Sequence, residues 1–281
     1  MKLLTLNTHS LIEENYPVKL QQFVDFILAE QPDVIALQEV NQSIHAPEIG
    51  KIPLPGYVPC AGNRVPLRTD NHALSVATML RSRGLPYCWS WLPAKVGYEK
   101  YDEGMAIFSR KPIQNTDNLL ISQSDNYAYW KTRRVLGVQV ENAWYYSIHM
   151  GWWNDQEEPF KDQWSILNAH ARAKNNVWLL GDFNSDAAVA GEGYDLIRSS
   201  GWQDTYELAA IKDEGYTVAE PIDGWRDSQD PVNTRRIDYI WHDTPLPIAD
   251  SKVVFNGVHS PQVSDHFGIL LSVCNCAPSL R

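Results

Sequence analysis

The run VWLLGDFN, residues 177–184, carries an apolar strand into a glycine and then sets Asp182 and Asn184 two residues apart. Alternation along a strand sends such positions to the same side, so the two oxygen-bearing side chains project together while Phe183 turns away. The habit recurs along the chain. Asn7 closes KLLTLN, Glu39 ends DVIALQE, His149 ends YYSIH, Asp238 lies within RIDYIWH, and Asp265 and His266 precede FGILLSV. Gathered at one sheet edge, where α/β proteins place ligand sites, the set holds four carboxylates, two amides and two imidazoles.

Oxygen donors of this kind suit a hard cation such as Mg²⁺ or Mn²⁺, held through one or two carboxylates while water and substrate oxygens complete its shell. Two histidines beside it can donate to an anion or handle a proton. The combination suits metal-assisted attack of water on a phosphorus ester. Such machinery matches the task, since uncatalysed phosphate-monoester hydrolysis needs acceleration of up to ~10²¹-fold. Other schemes lack their motifs: there is no G-x-x-x-x-G-K-[ST] loop, no G-x-S-x-G elbow and no H-E-x-x-H. Taken singly, each residue has an ordinary explanation as a turn cap, a solvated acid or a core imidazole. The reading rests on the set and its order.

The elements that must position these groups follow from periodicity. Leu20, Phe23, Val24, Ile27 and Leu28 share one helical face, with Pro17 suited to its first turn. A second helix is predicted over His72–Arg83, stopped by Gly84, and a third over Pro159–Lys174. Strands are predicted at Lys2–Asn7, DVIALQEV, Tyr87–Leu92, Met105–Ser109, Arg134–Val140, Trp144–His149, VWLLGDFN, RIDYIWH, KVVFN and Phe267–Val273, with a looser region over 186–230. The expected architecture is a layered α/β domain: two mainly antiparallel sheets face to face, helices outside. No repeat or linker divides the chain, so residues 1–281 read as one domain.

The formal net charge of −10 argues against a broad electrostatic grip on nucleic acid, which calls for a basic stripe. No apolar stretch is long enough for a membrane helix, and MKLLTLNTHS turns polar too early for a signal peptide, so a soluble cytoplasmic protein is expected. Cys60, Cys88, Cys274 and Cys276 show no zinc spacing and read as reduced thiols.

In order, TLNTH, LQEV, EGMAIFSR, SIHMG, GDFNS, RIDYIW and SDHFG resemble the endonuclease/exonuclease/phosphatase superfamily, the DNase I-like fold, from Asn7 to Gly268. The resemblance implies a four-layered α/β sandwich and a Mg²⁺-dependent phosphoesterase. It makes Glu39 the principal metal ligand, with Asn7 and Asp265 close by. Asp182 would orient or deprotonate the attacking water, Asn184 would hold that water or a phosphate oxygen, and His149 and His266 would contact the scissile phosphate. Asp238 would fix the tautomer of His266, a role that carboxylate–imidazole chemistry supports independently. Glu103, in EGMAIFSR, matches a position that is acidic in several branches.

TLNTHS and HMGWW further resemble the bacterial maltose 6'-phosphate phosphatase branch, which implies a small sugar phosphate as substrate. The 11 tryptophans agree with it, because aromatic faces suit the C–H surface of a sugar. Trp130, Trp152, Trp153, Trp202 and Trp225 are expected near the motif residues, whereas Trp144, Trp164 and Trp178 are expected in the core. Trp152 and Trp153 follow the His149 motif directly. One arginine from Arg133 and Arg134 and one from Arg235 and Arg236 would bind a terminal phosphate, with Arg134 and Arg236 taken from the two pairs. Two alternatives stay open: a nuclease or phosphodiesterase of the same fold, and a sugar- or nucleotide-binding protein without turnover. Oligomeric state is not legible.

Overall fold

Short apolar strands flanked by amphipathic helices leave few ways to bury every apolar face, and this chain uses four layers. The computed structural model describes residues 1–50, 52–220, 222 and 234–274. In chain order the elements are β1 (Lys2–Asn7), α1 (Tyr16–Glu30), β2 (Val34–Ser43), α2 (His72–Ser82), β3 (Cys88–Gly97), β4 (Tyr101–Ser109), β5 (Asn115–Leu120), β6 (Arg134–Val140) and β7 (Ala143–His149). They continue with α3 (Phe160–Arg172), β8 (Val177–Asp182), α4 (Gly193–Ser199), β9 (Gln203–Asp204), α5 (Thr205–Leu208), β10 (Ala209–Lys212), β11 (Asp238–His242), β12 (Ile248–Val254) and β13 (Gly268–Val273).

One sheet runs β10-β12-β13-β1-β2-β4-β3 and the other β5-β6-β7-β8-β11-β9. Pairing is mainly antiparallel; β1–β2, β7–β8 and β10–β12 are parallel. Alternation assigns the layers residue by residue. Leu3 and Leu180 join the core between the sheets, with Ala36, Ile107, Leu136 and Ile240. Their neighbours Leu4 and Leu179 face the other way: Leu4 packs with Phe23, Val24 and Ile27 of α1, and Leu179 with Phe160, Trp164 and Leu167 of α3. Such burial contributes roughly 1.5–3 kcal/mol per large apolar side chain, and truncating Leu180 to Ala would cost about 2–5 kcal/mol. Among the described residues no helix is long and apolar enough to cross a membrane.

A buried polar link fixes the two sheets against each other. Gln38 Nε2 donates to Ser147 Oγ (2.8 Å), and that hydroxyl donates to the Leu37 carbonyl (2.8 Å). Gly181 makes room for this link: at φ +140°, a Cβ there would lie 2.2 Å from the Ile148 carbonyl oxygen and 2.7 Å from Gln38 Nε2. Its freedom from a side chain therefore serves contact between the strands.

The predicted helices are present: His72–Arg83 is observed as His72–Ser82 and Pro159–Lys174 as Phe160–Arg172, and the first face belongs to Tyr16–Glu30. β2, β3 and β4 extend further than their apolar runs, because the added residues pair across bulges. β5, sequence NTDNLL, has no apolar alternation and was missed; it is an edge strand whose pattern is half exposed. The stretch read as loose contains α4, β9, α5 and β10, each too short to show a period.

Candidate active site

Two strand ends from different sheets meet through one amide. Asn7 is buried at the end of β1, and its Nδ2 donates to Glu39 Oε1 (2.9 Å) on β2 and to Asp182 Oδ2 (3.1 Å) on β8. Glu39 reaches this point because β2 bulges between Leu37 and Val40, leaving Glu39 at φ 51°. Asn184, past the end of β8, sits at φ 46°. Left-handed backbone at non-glycine residues costs energy and concentrates where a side chain must be re-aimed. The Asn184 backbone N–H donates to Asp182 Oδ1 (2.8 Å), and its Nδ2 donates to the Met150 carbonyl (3.0 Å).

Strand register supplies the remaining neighbours. His149 lies opposite Asp182 across β7 and β8, and Asp182 lies opposite Asp238 across β8 and β11. Asp238 Oδ2 is 3.0 Å from His266 Nδ1, while His266 Nε2 and His149 Nε2 are 3.8 and 3.7 Å from Asp182 Oδ2. Ser264 Oγ donates to the Asn7 carbonyl (2.7 Å), which pins the Ser264–His266 segment to β1. Asp265 Oδ1 is 3.8 Å from His9 Nδ1.

Crowding shows in the electrostatics. Burial, then repulsion from Glu103, pushes the Glu39 carboxyl up to about 7. Burial and Asp238 push Asp182 up to about 6. At His266 burial opposes the charged form, but Asp238 and Asp182 outweigh it and hold the ring well above its ordinary range. Burial drives His149 well below its ordinary value, helped by Arg133, Lys95 and His266. One imidazole is thus held as a cation and its neighbour neutral. A floor of mutually repelling carboxylates, with Asp238 Oδ1 lacking a partner among the described residues, fits a divalent cation. Glu39, Asn7 and Asp265 offer oxygen donors, and ligand-type atoms lie within 4.8 Å of one another in two groups, Asp182 with Asp238 and His266, and His9 with Glu13 and Asp265.

These groups lie at a cavity of about 460 Å³ that takes in Glu39, His149, Asp182, Asn184, Asp265 and His266, with Asn7 and Asp238 bonded directly behind them. Glu103 lines it too, paired with buried Lys95 (3.2 Å). Trp152 lines it beside Trp130, which is 51% exposed, with ring centroids 5.8 Å apart. Three predicted contacts are placed elsewhere. Trp153 packs on Phe160 (5.9 Å) under α3. Arg134 donates to Asn118 Oδ1 (3.0 Å) on β5. Arg236 donates to Asp204 Oδ2 (2.7 Å) and lies against the Tyr194 and Tyr206 rings.

Trp202 is a core residue whose Nε1 donates to Asn168 Oδ1 (2.8 Å), not a loop residue near the motifs. Trp164 and Trp178 are buried as expected, but Trp144 is half-buried, stacked on Tyr146 beneath Lys174. Trp225 lies outside the described residues, as does Cys276. Lys95, Tyr98 and His9 line the cavity without having been selected from the sequence, and so does Arg133, the member of its pair that was passed over for Arg134. The signal for Arg133 and Lys95 was the placement of long cations in or beside strands that are otherwise apolar.

The profile of the Endonuclease/Exonuclease/phosphatase family matches residues 4–266, and the chain belongs to that family. Its members are metal-dependent phosphatases and nucleases, which makes this chain one of a class of phosphoric ester hydrolases. An endonuclease/exonuclease/phosphatase family protein from Leptotrichia buccalis C-1013-b is 31% identical, with a TM-score of 0.84 over 98% of this chain and 99% of that one. Two more distant structures share the fold. One is the 3' phosphatase NExo from Neisseria, solved with product DNA hairpin (18% identity, TM-score 0.62, 98% of this chain and 99% of that one). The other is TDP2 from Caenorhabditis elegans (16%, 0.60, 96% and 74%). No curated protein sequence matches significantly.

Proposed function

We propose that the protein is a Mg²⁺-dependent phosphomonoesterase that releases phosphate from a phosphorylated sugar, with maltose 6'-phosphate the first substrate to try, and that residues 1–281 act as one domain. The observation that carries this reading is the joining of a carboxylate and histidine floor to an aromatic wall of Trp130 and Trp152 within one cavity of about 460 Å³. A space of that size suits a small ligand, and indole faces suit a sugar ring. The net charge of −10 weighs against extended nucleic acid.

In this reading Asp182, pushed up to about 6, takes a proton from the attacking water near neutral pH. The water oxygen bonds to phosphorus, the bond from phosphorus to the sugar oxygen breaks, and that oxygen leaves as a hydroxyl by taking a proton from solvent, while the proton on Asp182 returns to solvent. Asn184 and neutral His149 donate to phosphoryl oxygens, and His266, fixed by Asp238, faces the developing negative charge. Glu39, with Asn7 and Asp265, would hold Mg²⁺. When bound, the ion supplies Lewis-acid charge at the phosphoryl oxygens.

A phosphate-release screen with Mg²⁺ across sugar phosphates, nucleotides, inositol phosphates and DNA tests the proposal. Expected is turnover of sugar phosphates, abolished by EDTA and by Asp182→Ala or His266→Ala. Plasmid nicking that persists through purification and is lost in Asp182→Ala would replace the reading with a nuclease. Binding without release from any substrate would leave a non-catalytic binding protein.

A further inference from the structure

One buried cation in the cavity wall has carboxylates near it but, among the described residues, none within bonding distance. Arg133 is 3% exposed, yet its guanidinium donates no hydrogen bond and forms no ion pair among the described residues, and its Nε is buried without a partner. The position is not slack. Its backbone N–H donates to Ser122 Oγ (2.9 Å), its carbonyl accepts from the Ile121 N–H (3.0 Å), and the guanidinium lies over the Trp152 ring, 5.6 Å from the centroid. Lys95 in the same wall differs, because Glu103 sits 3.2 Å away and offsets its charge.

Holding a desolvated cation without a bonded anion is costly, and a ligand anion that bonds it recovers that cost. The cavity carboxylates act on it only through space: Glu103 is paired with Lys95, and Asn7 and Asn184 tie Glu39 and Asp182 to the floor. Guanidinium is a permanently charged planar fork whose N–H groups suit a phosphoryl oxygen. A phosphomonoester dianion has three unsubstituted oxygens; a diester has two, one charge fewer, and a carbon substituent where the third would be. With the floor groups engaging part of the phosphoryl group, the oxygen left for the wall is the one that only a monoester carries.

We propose that Arg133 is the residue that selects phosphomonoesters over phosphodiesters, by bonding the terminal phosphoryl oxygen and by denying a diester's second substituent its place. Selection of this kind combines an attraction with a penalty. The proposal rests on the phosphatase reading above, and it adds the residue that separates that activity from the diesterase activity of the same fold.

The test compares wild type, Arg133→Met and Arg133→Lys, with Mg²⁺, on p-nitrophenyl phosphate and bis(p-nitrophenyl) phosphate. In parallel, tryptophan fluorescence follows titration with inorganic phosphate and with dimethyl phosphate. Loss of the charged contact to that oxygen predicts that Arg133→Met lowers kcat/KM for the monoester roughly a hundredfold while the diester changes by less than about threefold. Arg133→Lys, which keeps charge but not the fork, falls between. Phosphate affinity drops about tenfold or more in Arg133→Met, and dimethyl phosphate affinity does not. Parallel losses on both esters, or phosphate affinity unchanged, overturn the proposal. If wild type hydrolyses neither ester, the phosphatase reading fails, and the two titrations still decide whether Arg133 discriminates the anions. If Arg133→Met does not fold, Arg133→Lys carries the same comparison.

Discussion

Asp117 and Asp182 are both carboxylates beside a histidine, and they titrate in opposite directions. On the outer face of the second sheet, Asp117 Oδ2 accepts from Tyr146 Oη (2.8 Å) and lies 2.6 Å from His170 Nε2 and 3.2 Å from Lys174 Nζ. Burial works to raise its carboxyl, but His170, Tyr146 and Lys174 outweigh that and hold it below its ordinary value of 3.8. In the cavity floor Asp182 also has a histidine near it, but burial and the carboxylate of Asp238 push it up to about 6. The outer cluster closes on itself and stabilises the attachment of α3. The floor is left short of positive charge, which is a local cost borne by the rest of the fold and recovered when a cation and an anionic substrate arrive.

Activity gives the widest separation between the two regions. Asp182→Ala is expected to lower phosphate release by about 10²–10⁴-fold while Asp117→Ala stays within about twofold once folded, as steady-state kinetics would show. Equal losses would erase the distinction. Stability gives the next. Saturating Mg²⁺ at ~100 Kd should add about 2.7 kcal/mol, seen as a higher Tm that EDTA reverses. Glu39→Gln should lose that shift and Asp117→Asn should keep it.

A third contrast lies in the metal-free protein at neutral pH. Asp117→Asn removes a charged acceptor and should cost about 1–3 kcal/mol, whereas Asp182→Asn relieves repulsion and should raise the Tm. Denaturant melts of both variants read the two signs directly.

The pH dependence follows with opposite slopes. The depressed Asp117 pKa makes its contribution present above 3.8 and lost as pH falls through the lower folded value, so wild type and Asp117→Asn converge in acid. Asp182 and Glu39 are raised, to about 6 and about 7, so the folded state binds more protons than the unfolded one between their ordinary and raised values. Metal-free protein should therefore lose stability as pH rises from about 4 to 7, and Mg²⁺ should flatten that slope. The smallest expected effect separates the tryptophans. Trp130→Ala should raise KM for a sugar phosphate about three- to tenfold with kcat little changed, while Trp153→Ala should affect melting and not KM.

Much of this was legible in the chain because the relevant physics is local. Strand alternation sends Asp182 and Asn184 to one side and Phe183 to the core, and the positions of Asn7, Glu39, His149 and His266 at the ends of apolar runs mark a common edge. Arg134 and Trp153 mark where this reasoning stopped. Each sits next to a residue that does line the cavity, Arg133 just before β6 and Trp152 in the turn after β7, where no strand period tells the neighbours apart. Edge strand β5 was illegible because NTDNLL has no apolar alternation, and the short elements between 193 and 212 because they have too few residues to display a period.

By itself the amino-acid sequence determined the reaction class, because the kinds of donor and their order along strand ends require only local geometry. The tertiary structure alone decided how those donors interact. Asn7 bridges two sheets, a bulge turns Glu39 inward, and the register of β8 against β11 sets Asp182 beside Asp238. It also decided which of two adjacent arginines is buried in the cavity wall without a bonded anion. Burial and through-space repulsion depend on neighbours more than a hundred residues away, as between Asn7 and Asp182, so no window of sequence contains them.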